Sequence, residues 1–337
     1  MMNKTKVSVI MSAYNAQAFI REAVDSILNQ TMGDFELLVT DDCSTDDTLK
    51  ILKSYHDDRL IVIENNKQQG LTANLNSMIE RSSGEYIARL DADDVSDLSR
   101  LEKQVIVLDS NPDIFMVCSY VKAIGNRSGI NKPPLKHDDI AATLLFFNPI
   151  THSSVMFRND GTKYNINYKK AQDYELWTRL FREGKRFFTI AEPLVSFRYH
   201  HLQISNIGKT DQLAFATQVK INELQQLGID INDKDFSFVI NYLETGLIEN
   251  SNELYRVLAL FSEIETKNRQ NKVYSKVALK RVIKIRCVRI YTRLKDRNSI
   301  NIRDRINLFR RAFSLLLFKA IIASRFNSHI REGQYGQ

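Results

Sequence analysis

Cysteine is scarce. The three in the 337-residue chain, Cys43, Cys118 and Cys287, stand far apart and form no C-x-x-C pair. That excludes a disulfide framework, shows no zinc-binding pattern and suits a reducing cytosol. Long apolar runs are missing as well. No uninterrupted stretch approaches the roughly 18 residues that a spanning helix needs, and the longest candidate, Ala312 to Ala323, contains Lys319. Met1 to Lys6 leads straight into a strand-like run, so no secretory signal is expected. Neither G-x-G-x-x-G nor G-x-x-x-x-G-K-[ST] occurs, so phosphate is not cradled by a glycine-rich loop. Low-complexity tracts are absent, and 43% hydrophobic residues are enough for a globular core in one large domain with an appendage, or in two domains.

Charge is unevenly divided. From Val273 to Arg331 there are 16 Lys and Arg against 2 Asp and Glu, so of the net +7 this region supplies +14 and the rest of the chain carries −7. An acidic body with a basic tail suggests two jobs in one chain.

Short apolar runs alternate with helical patterns through the first 120 residues. Val7–Met11, Phe35–Val39, Leu60–Ile63, Tyr86–Ala88 and Phe115–Val121 read as strands. Between them lie helices carrying the Phe19, Ala23, Ile27 stripe, one opened by a Ser44/Asp47 capping box and running to about Tyr55, one over 72–81 and one over 98–108. This alternation predicts an α/β fold with a doubly wound, mostly parallel sheet. Asn126 to Pro134 reads as a loop, and Ala171 to Trp177 opens another helix.

Polar groups cluster just after three of the strands: Ser12, Tyr14 and Asn15; Asp41 and Asp42; and Asp91, Asp93 and Asp94 in the run Arg89-Leu90-Asp91-Ala92-Asp93-Asp94. In open α/β sheets the ligand crevice lies outside the carboxyl ends of the strands. Three carboxylates within four residues repel one another unless a cation neutralises them, and a divalent metal carrying phosphate oxygens would do so. A solvated turn with a helix N-cap would explain the same acids. At such an edge Asp42 could accept from a base imide and Tyr14 could cover a base or ribose, so a nucleoside diphosphate bridged by a metal fits the groups present. Asp173, in or before the first turn of its helix, is either an N-cap or a functional carboxylate. His200, next to Arg198 and His201, is either a surface histidine or part of a site.

Together these segments resemble the family 2 glycosyltransferases, inverting enzymes of GT-A fold. The match runs from Val7 to about Ser205. It rests on Val9 to Asn15, Val39 to Asp46, Gly84 to Asp94, Gln172 to Trp177 and Phe197 to His200 in that order. The resemblance implies that Ser12 and Tyr14 hold the nucleotide and that Asp42 reads the base. It sets Asp91 toward the ribose and Asp93 on Mn²⁺ or Mg²⁺, the D-x-D pattern, with Arg198 on the donor side and His200 near the metal or diphosphate. Asp173 matches the catalytic base. Gln172 departs from a frequent Glu, Leu98 from a frequent proline and Cys118 from a frequent glycine. No Q-x-x-R-W occurs, which disfavours a processive synthase.

The implied activity is transfer of a sugar from a nucleotide sugar, UDP by family habit, to a hydroxyl of a glycan or lipid-linked oligosaccharide in surface polysaccharide synthesis. A sugar-nucleotide nucleotidyltransferase and a non-catalytic nucleotide-sugar-binding scaffold are the competing readings. The catalytic domain is expected over 1–208 and a mainly helical region, basic from about 273, over 209–337. Ile302, Ile306, Phe309, Phe313, Leu316 and Ala320 follow helical spacing with Arg and Lys on other faces, suiting either an anionic membrane or an ordinary packed subdomain. A cytoplasmic protein, peripheral on the inner face of the plasma membrane, is the expected setting. No nucleic-acid partner is expected, because aromatics are not interleaved with the basic residues.

Overall fold

The computed structural model describes residues 5–200, 209–231, 233–294, 303, 304 and 308. They divide into two compact units. Residues up to 140 and 148–200 form the first, and residues 141–147 with those from 209 onward form the second.

The first unit is built on a nine-stranded sheet. Its strands are β1 (Val7–Ala13), β2 (Phe35–Asp41), β3 (Leu60–Glu64), β4 (Tyr86–Arg89), β5 (Val95–Ser96), β6 (Ile114–Gly125), β7 (Gly129–Asn131), β8 (Met156–Arg158) and β9 (Arg186–Tyr199). The helices are α1 (Ile20–Leu28), α2 (Thr48–Lys53), α3 (Leu71–Arg81), α4 (Arg100–Ser110), α5 (His137–Leu144, whose last residues pass into the second unit) and α6 (Gln172–Arg182). The strand order is β3-β2-β1-β4-β8-β6-β9-β5, with β7 hairpinned onto β6.

The expected α/β sheet is present. β3, β2, β1 and β4 run parallel, and in chain order α1, α2 and α3 join β1 to β2, β2 to β3 and β3 to β4. β1 and β4 are buried at nearly every position, which is why they read as continuous apolar runs rather than alternating ones. The stripe predicted for the first helix turns Ile20, Ala23, Val24 and Ile27 inward. Beyond β4 the sheet becomes mixed: β8 is antiparallel to both β4 and β6, while β9 is parallel to β6. Register places Ala13 beside Asp41 and Ile10 beside Arg89, so β1, β2 and β4 all end at one edge.

Two local expectations give way. The Ser44/Asp47 capping box does not form: Asp47 at the N-cap makes no side-chain cap, and Asp46 takes the Thr48 N–H at 2.9 Å. Ser44 Oγ instead accepts from the Asn15 N–H at 3.0 Å, a partner from the β1 loop that local spacing cannot supply. Within the stretch read as a loop, residues 129–131 form β7, because Gly125 and Gly129 adopt positive φ (79° and 127°) and turn the chain back onto β6.

The second unit contains α7 (Lys209–Gln226), α8 (Asp233–Thr245), α9 (Ser251–Asn271) and α10 (Lys276–Leu294). Asn250 caps α9 by accepting from the Glu253 N–H. The mixture of apolar and basic residues in α10 has a packing reason. Ala278, Leu279, Val282, Ile283, Cys287 and Ile290 are buried, and the buried Arg286 lies over the Phe146 ring at 5.3 Å and the Tyr242 ring at 5.8 Å. The amphipathic pattern from Ile302 to Ala320 lies outside the described residues. No helix among the described residues is long and apolar enough to cross a membrane.

Candidate active site

β4 carries Arg89 at its last position and delivers Asp91, Asp93 and Asp94 immediately beyond the sheet edge. Arg89 is buried and forms a two-point ion pair with Asp91. Its Nη1 also donates to Ser153 Oγ at 3.0 Å. Ser153 lies in the short 3₁₀ turn His152–Ser154 ahead of β8, and its hydroxyl is within hydrogen-bond distance of both Asp91 and Asp94. Below the loop, buried Arg100 donates to the Arg89 and Val155 carbonyls at 2.9 and 3.0 Å, which holds the end of β4 against the chain entering β8.

The end of β9 closes over the same loop. The Arg198 backbone N–H donates to Asp94 Oδ1 at 2.9 Å, and its guanidinium donates to the Asp93 carbonyl at 2.9 Å and to Glu22 at 2.5 Å while lying over Phe19. His200 Nε2 is 2.8 Å from Asp93 Oδ2, and the imidazole packs against Phe19. Burial, then the Asp91 charge, raises the Asp93 carboxyl above its ordinary range, with His200 opposing. Asp94 is raised much further by burial and by both neighbouring acids.

The ends of β1 and β2 are joined by amide side chains. Asn74, on α3, donates to Ser12 Oγ at 3.1 Å and accepts from Asn65 at 2.8 Å. Asn65 in turn donates to Asp42 Oδ1 at 2.9 Å. The Gln69 and Gly70 N–H groups reach the same carboxylate at 2.8 and 2.9 Å. Burial opposes ionisation of Asp42, but these donors outweigh it and hold the carboxyl below its usual range. Tyr14, just past β1, is 45% exposed at this edge.

Asp173 sits in the first turn of α6, after Ala171 in left-handed conformation (φ 53°). Its Oδ2 accepts from Asn148 Nδ2 at 2.8 Å. Burial pushes its carboxyl up to about 6, against the Tyr174 N–H and the Arg89 guanidinium, which favour the charged form, while the Asp91 charge adds to the rise. Asp173 and the acid loop therefore share one electrostatic neighbourhood. Tyr164, whose hydroxyl contacts His152 Nε2 at 2.7 Å, feels Arg89, Asp173 and Asp91 alike.

The structure thus brings Asp91, Asp93, Arg198 and His200 into direct contact with one loop. It places Asp173 within its field, and sets Ser12, Tyr14 and Asp42 at the neighbouring strand ends. Sequence reasoning passed over Arg89, Ser153 and Asn148. Arg89 stands in the sequence only as the first residue of the acid run, and the segment Asn148 to Arg158 reads as no more than a turn and a strand-like run.

The acid loop fits a divalent cation. One oxygen from each of Asp91, Asp93 and Asp94 lies within 4.8 Å of the others. Burial first, and then the charge of the neighbouring acids, raises the Asp93 and Asp94 carboxyls, and a cation would offset both. Hard oxygen donors with one imidazole at hand suit Mn²⁺ or Mg²⁺. With Asp91 held by Arg89 and Asp94 by Ser153 and Arg198, Asp93 and His200 are the side chains best placed to ligate.

Comparison with known proteins agrees with this geometry. The model of Glycosyl transferase family 2 matches residues 8–192. An uncharacterized glycosyltransferase of Haemophilus influenzae is 34% identical over 281 residues, covering 76% of this chain and 85% of the relative. The Escherichia coli protein WfaP, named a UDP-Glc:alpha-D-GlcNAc-diphosphoundecaprenol beta-1,3-glucosyltransferase, is 32% identical over 182 residues, 53% of this chain and 71% of that one. Among solved structures, the mannosyltransferase PcManGT from Pyrobaculum calidifontis, in complex with GDP-Man and Mn²⁺, shares the fold with a TM-score of 0.53 at 16% identity, covering 94% of this chain and 89% of its own. With a sheet edge of this construction and a family match over more than half its length, the chain belongs to glycosyl transferase family 2 and is a glycosyltransferase of GT-A fold.

Proposed function

We propose that the protein is a metal-dependent inverting transferase. It would move a sugar from a nucleotide-sugar donor, a UDP-sugar, to a hydroxyl of a glycan or lipid-linked oligosaccharide in surface polysaccharide synthesis. The observation that carries this is Asp173, a carboxylate tuned to about 6 beside the acid loop at the end of β4. Such a group is ionised at neutral pH yet more basic than an ordinary carboxylate, as a general base should be. Asp173 takes the acceptor hydroxyl's proton onto its carboxylate as that oxygen attacks the anomeric carbon. The nucleoside diphosphate leaves from the opposite face, so one displacement inverts the configuration.

Asp93 and His200 would hold the cation; Mn²⁺ or Mg²⁺ bound there supplies positive charge against the departing diphosphate. Asp91 orients toward the ribose, Ser12 and Tyr14 hold the nucleotide, and Asp42 reads the base. Arg198 acts on the donor through the acid loop that it fastens. The E. coli relative's name supports a UDP-sugar and a lipid-diphosphate acceptor, and the archaeal complex supports Mn²⁺. Incubation with a panel of nucleotide sugars and Mn²⁺ tests the reading. Release of nucleoside diphosphate with thermal stabilisation by one donor is expected; release of pyrophosphate would overturn it.

The transfer chemistry is assigned to residues 1–208, and residues 209–337 to an anionic membrane at the cytoplasmic face. Lys276, Lys280 and Arg281 are exposed on α10 beside Val277 (68%) and Ile285 (42%), a pairing of basic and apolar groups suited to acidic headgroups. Co-sedimentation with phosphatidylglycerol vesicles, lost at high salt, is expected; indifference to lipid charge would remove this assignment.

A further inference from the structure

Asn148 lies 25 residues before Asp173, at the start of the segment that leads through the 3₁₀ turn into β8. The two ends of its amide have different partners. Oδ1 accepts from the Ile150 N–H at 3.0 Å, and Nδ2 donates to Asp173 Oδ2 at 2.8 Å. Turning the amide over would set its NH₂ against a backbone N–H and its oxygen against a carboxylate, so the network assigns the orientation. Pro149 follows and restricts the Asn148 backbone to extended conformations, which gives the side chain a stiff base. Five residues on, the same segment supplies Ser153 to Asp91 and Asp94. One short stretch of chain therefore touches both the carboxylate of α6 and the acid loop of β4.

We propose that Asn148 is a positioning residue for the transfer reaction: its amide fixes the Asp173 carboxylate and favours its ionised form. The proposal rests on Asp173 being the base. A donor on a carboxylate stabilises the charged form. Burial drives Asp173 the other way, and a donor held at 2.8 Å from the carboxylate opposes that drive. The pairing with Ser153 adds a geometric role, since any shift of 148–154 would move the base and the acid loop relative to each other.

Two variants separate this from simple structural support. Asn148→Ala removes both hydrogen bonds. Asn148→Asp keeps an acceptor for the Ile150 N–H but replaces the donor to Asp173 with a second carboxylate. In the pH profile of kcat the acid limb is expected to move up by about one pH unit in Asn148→Ala, the worth of one hydrogen bond to a charged group, and further in Asn148→Asp. At pH 6, where the parent base is half ionised, that is a loss of about fivefold, shrinking as pH rises, with Mn²⁺-dependent donor binding as in the parent. An unchanged acid limb in both variants would overturn the proposal. So would a pH-independent loss accompanied by weaker donor binding. Asp173→Asn run in parallel tells the two failures apart. If it stays active, the base assignment falls and takes this proposal with it; if it is inactive while Asn148→Asp keeps the parental limb, only the role of Asn148 falls.

Discussion

Arg89 and Asp91, two residues apart, form a two-point ion pair at the point where β4 leaves the sheet, with the guanidinium almost wholly buried. The pair belongs to a larger charge balance. Asp93, Asp94 and Asp173 all feel this arginine or its partner, and no other arginine or lysine among the described residues has an ion pair with any of the three loop acids.

Removing Arg89 should therefore cost more than a surface ion pair would. Arg89→Met leaves buried carboxylates uncompensated and is expected to destabilise the fold by about 3–5 kcal/mol in urea unfolding. Because Arg89 favours the ionised form of Asp173, surviving activity should also show its acid limb at higher pH. Adding Asp91→Asn should restore part of the lost stability. Additive losses in that pair of variants would show that the two residues do not act as one unit.

The Asp173 carboxyl titrates at about 6, so transfer should decline as pH falls through that value and the base becomes protonated. Asp173→Asn should lower kcat by about 10²–10⁴-fold and spare donor binding. Stability moves in the other direction. The folded-state pKa lies above the ordinary aspartate value of about 3.8, so the folded state holds this proton more tightly. The penalty of the buried charge is absent below about pH 4 and complete above about pH 6. Asp173→Asn should consequently melt higher than the parent at pH 8, with the gap closing by pH 4. Equal melting temperatures at both values would refute the assigned burial.

Metal binding should appear in thermal unfolding. Mn²⁺ at about 100 times its Kd would add about 2.7 kcal/mol if only the folded state binds it. Asp93→Ala should abolish that gain, and His200→Ala should reduce it, whereas Asp42→Asn should leave the metal response intact while weakening the donor. A full Mn²⁺ response in Asp93→Ala would place the cation elsewhere.

Gly84 tests the seat of β4. A Cβ there would meet Ser8 N at 2.4 Å, Ser8 Oγ at 2.6 Å and the Val7 carbonyl carbon at 2.8 Å. The Gly84 N–H already donates to Ser8 Oγ at 2.8 Å, so the two backbones are held in close approach. Gly84→Ala should destabilise by about 1–3 kcal/mol, the cost of overfilling a packed site, and should displace the acid loop enough to weaken Mn²⁺ binding. Unaltered stability would mean that β1 and β4 can part at no cost.

Much of this architecture was open to reading from the chain alone. The apolar runs of β1, β2 and β4 and the stripe of α1 are local periodicities, and the acids that follow the strands are their sequence neighbours. Parallel strands joined by helices bring such ends to one edge, so residue order alone groups Ser12, Asp42 and Asp93. The capping box at Ser44 failed for the complementary reason. Asn15, from another strand end, competes for the hydroxyl, and spacing within one segment holds no record of that competitor. Arg286 likewise read as one more charge in a mixed helix until Phe146 and Tyr242 surrounded it.

By itself the sequence determined which segments are strands, which edge gathers the carboxylates and which family the motifs resemble, because these follow from local period and residue order. Only the tertiary structure decided that β8 enters antiparallel beside β4 and carries Ser153 to Asp91. It alone set Asn148 on Asp173 and buried that carboxyl far enough to raise it to about 6. Those contacts join residues tens of positions apart, and their energies depend on burial and on neighbouring charges, quantities that exist only once the chain has folded.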